Sequence, residues 1–270
     1  MILIVVSEED KASINIGNHL MNSVRWNKID NKLYRYEDIV LTFIDDEHLY
    51  HDNIDSEIEK KIKIKFDTVI FASKHKSESG VKTLSVHPVG NYSKPEYGGM
   101  EKTLVNTSPH LMTNALRIMK KKNKTDYHVC FEVTHHGPCL KTPAFFIEIG
   151  SDEKCWKDEN AGKILAETII ETVKNPEKHP VLIGVGGGHY APRFTEIALS
   201  KKVSFAHMLP KYQIENIDES MVDEIIQKSK PDFVYFHRKG MRKSDYRKLK
   251  EVFENKGIKA VREEELEDIQ

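Results

Sequence analysis

Three observations predict a layered α/β fold. The chain begins with an apolar run, Ile2–Val6, that reads as a strand. From residue 128 onward, strand-like and helix-like segments mostly alternate. Two short turns containing histidine, glycine and proline each follow a buried-strand pattern, where open α/β sheets place their sites. Further strands are predicted near Val69–Ser73, Lys82–His87, His128–Thr134, Ala144–Ile149, Val181–Val185, Val203–Leu209, Phe233–His237 and Ile258–Val261. A helix should start at Ser108-Pro109, an N-cap followed by proline in the first turn, with Leu111, Ala115, Ile118 and Met119 on one face. Another spans about Asp158–Val173, and Pro192 opens a third through Ser200. Asp218–Lys228 and Ser244–Glu254 complete the helices. The charged segment 27–65 suits an antiparallel hairpin and a helix. Residues 74–107 are rich in turn formers and read as a functional loop.

A chain of 270 residues accommodates a single compact catalytic unit, with room for two interleaved α/β subdomains. Apolar residues make up 39% and charged residues 31%, and no apolar run reaches the roughly 18 residues of a membrane span. The first residues lack a basic, cleavable leader pattern. Three cysteines without CxxC spacing argue against a disulfide framework or a thiolate zinc site, and favour a reducing cytoplasm. The expected acting unit is a monomer. Formal net charge is −1, so nucleic-acid binding would have to rest on local patches. Basic clusters occur at Lys60–Lys65, Lys120–Lys124 and Arg238–Lys250, the last with seven Lys and Arg against Asp245. That patch could grip phosphates, or it is a solvated helix face, since an acidic tail, Glu263, Glu264, Glu265, Glu267 and Asp268, nearly compensates it.

Chemistry concentrates in Thr134-His135-His136-Gly137-Pro138 and Gly184-Val185-Gly186-Gly187-Gly188-His189-Tyr190-Ala191-Pro192. The second stretch is not a dinucleotide fingerprint, because His189 stands where the third glycine belongs and no P-loop lysine follows. No nucleotide cofactor is expected. Glycine amides before a helix can form an anion or oxyanion nest. In a regular strand only one of His135 and His136 would face the site, but a turn at Gly137-Pro138 relaxes that limit. With HExxH absent, a metal site must be assembled from distant loops. Its candidates are Glu132, His135, His136, Glu148, His189 and His207, donors that suit zinc. Taken singly, each of these histidines reads first as a hydrogen-bonded structural residue. Ser73-Lys74-His75-Lys76-Ser77 follows a strand, where His75 could orient a phosphate or water, or lie in a solvated turn. His110 in a first helical turn should stay neutral. His48 and His51 lie in an acidic stretch expected to be exposed.

These motifs occur in order along the chain, together with Val89-Gly90-Asn91, Tyr97-Gly98-Gly99, Glu148-Ile149-Gly150-Ser151 and His207-Met208-Leu209-Pro210. The combination resembles the archaeal and plant-type D-aminoacyl-tRNA deacylase family over essentially the whole chain. One departure is Ala206, where the family generally has glycine. The resemblance implies a layered α/β/α fold with a mixed central sheet, phosphorylase/hydrolase-like. It implies hydrolysis of the ester joining a D-amino acid to the terminal ribose of tRNA, a form of chirality proofreading. Zinc dependence is implied too, with D-aminoacyl-tRNA as the partner and no membrane.

An aminoacyl ester is already activated, so its hydrolysis needs a positioned water, a base and oxyanion stabilisation. A zinc-bound water with its pKa lowered to about 7 would be one nucleophile. His135, His136 and His189 are expected around that water or metal, with Glu132 or Glu148 as base or ligand. His75 is grouped with the catalytic residues. Gly186, Gly187, Gly188 and Tyr190 would hold substrate or oxyanion. Two competing readings are a zinc-dependent peptidase or amidohydrolase on a related fold, and a noncatalytic RNA-binding protein.

Overall fold

The computed structural model describes residues 1–174 and 177–269. In chain order the elements begin β1 (Ile2–Ser7), α1 (Lys11–Ser23), β2 (Asn27–Asp30), β3 (Leu33–Tyr36), β4 (Ile39–Ile44), α2 (Ile54–Ile62), β5 (Thr68–Lys76) and β6 (Thr83–Pro88). Next come β7 (Gly90–Asn91), β8 (Thr103–Leu104), α3 (Pro109–Lys122), β9 (His128–Phe131), β10 (Ala144–Ser151), α4 (Glu153–Trp156) and α5 (Glu159–Lys174). The last are β11 (Val181–Val185), α6 (Pro192–Ser200), β12 (Ser204–Leu209), α7 (Glu219–Ser229), β13 (Phe233–Phe236), α8 (Lys243–Asn255) and β14 (Ala260–Val261).

The architecture is the mixed α/β arrangement that the alternating pattern predicts. An eight-stranded mixed sheet has the order β2-β3-β4-β1-β5-β10-β6-β9, and a parallel four-stranded sheet has the order β12-β11-β13-β14. Strands buried on both faces alternate between two cores. In β1, Ile2, Ile4 and Val6 join one apolar cluster, whereas Leu3 and Val5 join another on the opposite face. The first cluster also contains Leu182, Phe194, Phe205 and Met208, so residues of the two sheets share it, with α3 and α6 contributing between them. A third cluster packs α7 and α8 on the far side of the smaller sheet. Among the described residues no helix is long and apolar enough to cross a membrane.

Several local expectations are corrected. The segment after Ser73 is not a turn: β5 runs through Lys76, because it pairs with β10 as far as Ser151. Ser108 holds the N-cap position of α3, but its hydroxyl bonds Thr68 instead of a helix amide. His48 is buried, with its Nε2 2.9 Å from the Ala72 carbonyl and its ring edge-on to Phe71 and Phe146. Residues 27–62 do form the hairpin (β2–β3) and a helix. The α1 helix, absent from the sequence reading, is capped by Asp10, whose carboxylate accepts the amides of Ala12 and Ser13.

Candidate active site

Strand register brings most of the site onto one face of the large sheet. Directly opposed residues share a face. Phe146 of β10 lies between Phe71 of β5 and His87 of β6, Glu148 lies between Ser73 and Ser85, and Gly150 lies between His75 and Thr83. Phe71, Phe146 and His87 stack in a column, with ring centroids 4.7 and 5.1 Å apart. At position 150 glycine is required by space. A Cβ there would lie 2.2 Å from Thr83 Oγ1 and 3.0 Å from His75 Cδ2.

The histidine pair follows β9. His136 adopts a left-handed backbone, with φ of 45°, and this breaks strand alternation. Both rings therefore turn to the same place, 4.3 Å apart by centroid, against His87 at 4.1 and 4.8 Å. The other sheet delivers His189 from the loop after β11. That strand lies between β12 and β13, the switch point where a parallel sheet opens a crevice. The two loops are bonded directly, since the Val133 amide donates to the His189 carbonyl.

Glu132 is the hub. Fully buried, its carboxylate accepts Ser85 Oγ at 2.6 Å on one oxygen and meets His189 Nε2 at 2.8 Å and His75 Nδ1 at 3.1 Å on the other. Burial opposes its charge, but the bonds from His189 and His75 outweigh that and hold the carboxyl well below its usual range. Burial likewise opposes protonation of His75. The hydrogen bond and charge of Glu132, with Glu148 behind, prevail and raise it to about 10. His75 Nε2 lies 3.1 Å from the Tyr190 hydroxyl, and His189 Nδ1 lies 3.5 Å from that of Tyr212.

Beside this group, three imidazoles converge. His87, His135 and His136 each offer a ring nitrogen, and these nitrogens lie within 4.8 Å of one another. Each Nδ1 faces a carbonyl, that of Pro88, Val133 and Gly137 respectively, at 2.7–3.0 Å. A carbonyl only accepts, so each Nδ1 carries a proton, and in neutral His135 and His136 Nε2 keeps its lone pair. Burial, then the neighbouring His87, drives both His135 and His136 well below the usual imidazole range, into the neutral, ligand-ready form. His87 Nε2 is buried without a hydrogen-bond partner, 3.5 Å from Glu148 Oε2. Burial disfavours a proton on His87, yet Glu148 and Glu132 favour it more strongly. The same two carboxylates favour any cation held there. The unbonded His87 Nε2, the neutral imidazoles of His135 and His136 and the adjacent carboxylates fit a zinc ion, which would take the place of any proton on His87.

The expected residues thus divide. Glu132, His75, His135, His136, Glu148, His189 and Tyr190 come together. His207 does not belong among the ligands: its Nε2 donates to the Val105 carbonyl at 2.9 Å and its Nδ1 accepts from Thr134 Oγ1 at 3.0 Å. No lone pair is left for a metal. Burial depresses it to about 3, so it stays neutral. The glycine nest is also reduced. The Gly186 amide donates to Leu209 and that of Gly187 to Gly240, so neither can face an oxyanion. Only the Gly188 amide has no protein acceptor among the described residues, and a Cβ there would meet open space. His110 is engaged elsewhere, with Ser204.

His87 and Ser85 were not singled out from the sequence. The signal available was a strand, Thr83–Pro88, whose alternate positions 83, 85 and 87 are polar although the strand is wholly buried.

Comparison with known proteins follows this geometry. Residues 62–261 match the family model described as D-aminoacyl-tRNA deacylase. A D-aminoacyl-tRNA deacylase of Methanosarcina mazei is 38% identical, with 99% of this chain and 94% of that protein aligned. One from Pyrococcus furiosus is 36% identical, covering 97% of this chain and all of that protein. The crystal structure of AF0625, a conserved protein of unknown function, superposes with a TM-score of 0.92 at 30% identity, covering 98% and 96% of the two chains. By these matches, the chain belongs to the D-aminoacyl-tRNA deacylase family.

Proposed function

We propose that the histidine–carboxylate cluster is where this chain, as a D-aminoacyl-tRNA deacylase, hydrolyses the ester between a D-amino acid and the terminal ribose of tRNA. The observation that carries the reading is the buried Glu132 carboxylate, bonded at once to His189 and His75 beside three convergent imidazoles.

His189 is the partly exposed ring of the group, and Glu132 holds its Nε2. Its Nδ1, with only the Tyr212 hydroxyl at 3.5 Å beside it, would take a proton from the attacking water while Glu132 stabilises the imidazolium, the division of labour of a base and its orienting carboxylate. The same proton can then pass to the departing ribose oxygen, leaving the free amino acid and the tRNA hydroxyl. His75 and Ser85 fix Glu132, and Tyr190 fixes His75. The Gly188 amide faces the developing oxyanion. His87, His135 and His136 would hold zinc, with Glu148 behind them; when bound, the ion supplies Lewis-acid activation of water or carbonyl. Three free cysteines support a reducing cytoplasmic setting, and we take a monomer as the acting unit.

The test is deacylation of matched D- and L-aminoacyl-tRNA, with and without chelator. D-selective hydrolysis that chelation removes and zinc restores is expected. Equal hydrolysis of both enantiomers, or none after zinc is supplied, contradicts the reading.

A further inference from the structure

The acidic tail, expected to compensate the Arg238–Lys250 segment, does lie beside it, Glu263, Glu264 and Glu265 lining one cleft with Arg238, Lys239 and Lys250, but its direct ion pairs are with other residues. Glu263 pairs with Arg193, Glu264 with Arg262, Glu265 with Lys259, Glu267 with Lys202 and Asp268 with Lys201. Within the segment, Arg242 pairs with Glu215 and Lys250 with Glu254. Among the described residues, Arg238, Lys239, Lys243, Arg247 and Lys248 form no ion pair, and all five are exposed. The other basic clusters are partly paired, Lys61 with Asp30, Lys65 with Glu59, and Lys122 with Glu167 and Glu171, although Lys120, Lys121 and Lys124 are exposed without an ion pair among the described residues.

Four of these cations form a groove. Arg238, Lys239, Lys243, Tyr246 and Arg247 line a cleft of about 600 Å³ without a carboxylate. The Arg238 guanidinium lies 5.0 Å over the Tyr246 ring, itself edge-on to Phe236, so the fork is held with its N–H edge free. The N-terminus of α8 opens at Lys243 and adds its partial positive charge. The groove adjoins the candidate active site. The Gly187 amide bonds the Gly240 carbonyl at 3.1 Å, and a Cβ on Gly187 would lie 2.9 Å from His237 Nδ1. Gly187 and His189 are two residues apart, a reach of at most about 7 Å.

We infer that this groove grips the backbone phosphates of the tRNA acceptor strand and so presents its aminoacylated end to His189. The inference rests on the deacylase reading of the same site. Phosphate is the complementary ligand because four cations, one of them a guanidinium fork, line this groove, while the glutamates nearby line the adjoining cleft on the other side of Arg238 and Lys239.

The test compares wild type with Lys239→Glu/Arg247→Glu and, as a control of equal charge change, Lys120→Glu/Lys121→Glu. The readouts are the Kd for uncharged tRNA across a salt series, the KM for D-aminoacyl-tRNA, and hydrolysis of D-aminoacyl-adenosine, which carries the ester without the phosphates. The groove variant should weaken tRNA binding and raise KM at least about tenfold and flatten the salt dependence. It should keep its rate on D-aminoacyl-adenosine, and the control should bind tRNA within about twofold of wild type. If charge reversal prevents folding, Lys239→Gln/Arg247→Gln should still weaken binding about threefold or more. Groove variants that bind tRNA like wild type, or a control that weakens as much, overturn the inference. Wild type that binds tRNA through the groove without deacylating it would sink the deacylase reading alone.

Discussion

His87 in the large sheet and His207 in the small one are both strand histidines without solvent exposure. His207 has its two nitrogens matched to one acceptor and one donor, from Val105 and Thr134. His87 has one nitrogen matched by Pro88 and the other left bare among His135, His136 and Glu148. Burying an unpartnered polar atom costs about 1–3 kcal/mol, a cost that a cation held among His87, His135 and His136 would offset, whereas His207 has nothing left to offer one. A histidine's role is therefore read from its hydrogen-bond ledger, not from its burial or its motif.

Substitutions can break this comparison at several levels. The largest effect is expected at the hub: Glu132→Gln keeps the shape but removes the charge that holds His189 and His75. Single-turnover deacylation should fall at least about 100-fold, the usual scale for losing a general base or its partner. Next, His87→Gln should lower zinc affinity at least about tenfold, read by metal content after dialysis. His207→Gln should retain the metal. Equal metal loss in both variants would erase the distinction between the two histidines.

Stability should show the reverse pattern. His207→Ala strands the Thr134 hydroxyl and the Val105 carbonyl in the core and should cost about 1–3 kcal/mol in denaturant unfolding. The pH dependence follows from the same burial. His207 titrates near 3 in the fold but near 6.5 in the unfolded chain. Between those values the unfolded state binds the extra proton, so this residue's contribution is complete above about pH 6.5 and is lost as the pH falls towards 3. The slope is at most about 1.4 kcal/mol per pH unit. His207→Gln should flatten that limb of the stability profile; an unchanged slope would show that His207 is not the neutral residue its bonds require.

The parts legible in the sequence were those with strong local physics. The strand Val181–Val185 and the helix Pro192–Ser200 match the apolar run and the proline that predicted them. The two histidine turns do meet in space. What escaped was set by pairing. α1 buries Ser13, Asn15 and Gly17 beside Ala12, Ile16 and Leu20, so its apolar stripe is too interrupted to read as a helix face. His87 sat on a half-polar strand whose burial on both faces showed only once register placed it opposite Phe146. The Gly186 and Gly187 amides looked available until the chain beyond residue 208 supplied their acceptors. The acidic tail does approach the basic segment across one cleft, but which cations it pairs with directly was set by the fold.

The central claim is that loops from the two sheets form one catalytic centre, with His189 from the small sheet acting on Glu132 of the large one. Single-turnover hydrolysis of D-aminoacyl-tRNA by His189→Ala, with metal content and tRNA binding measured on the same sample, tests it most directly. A rate at least about 100-fold below wild type, with zinc and tRNA still bound, is the predicted result. A near-normal rate from that metal-loaded, tRNA-bound variant would contradict the account.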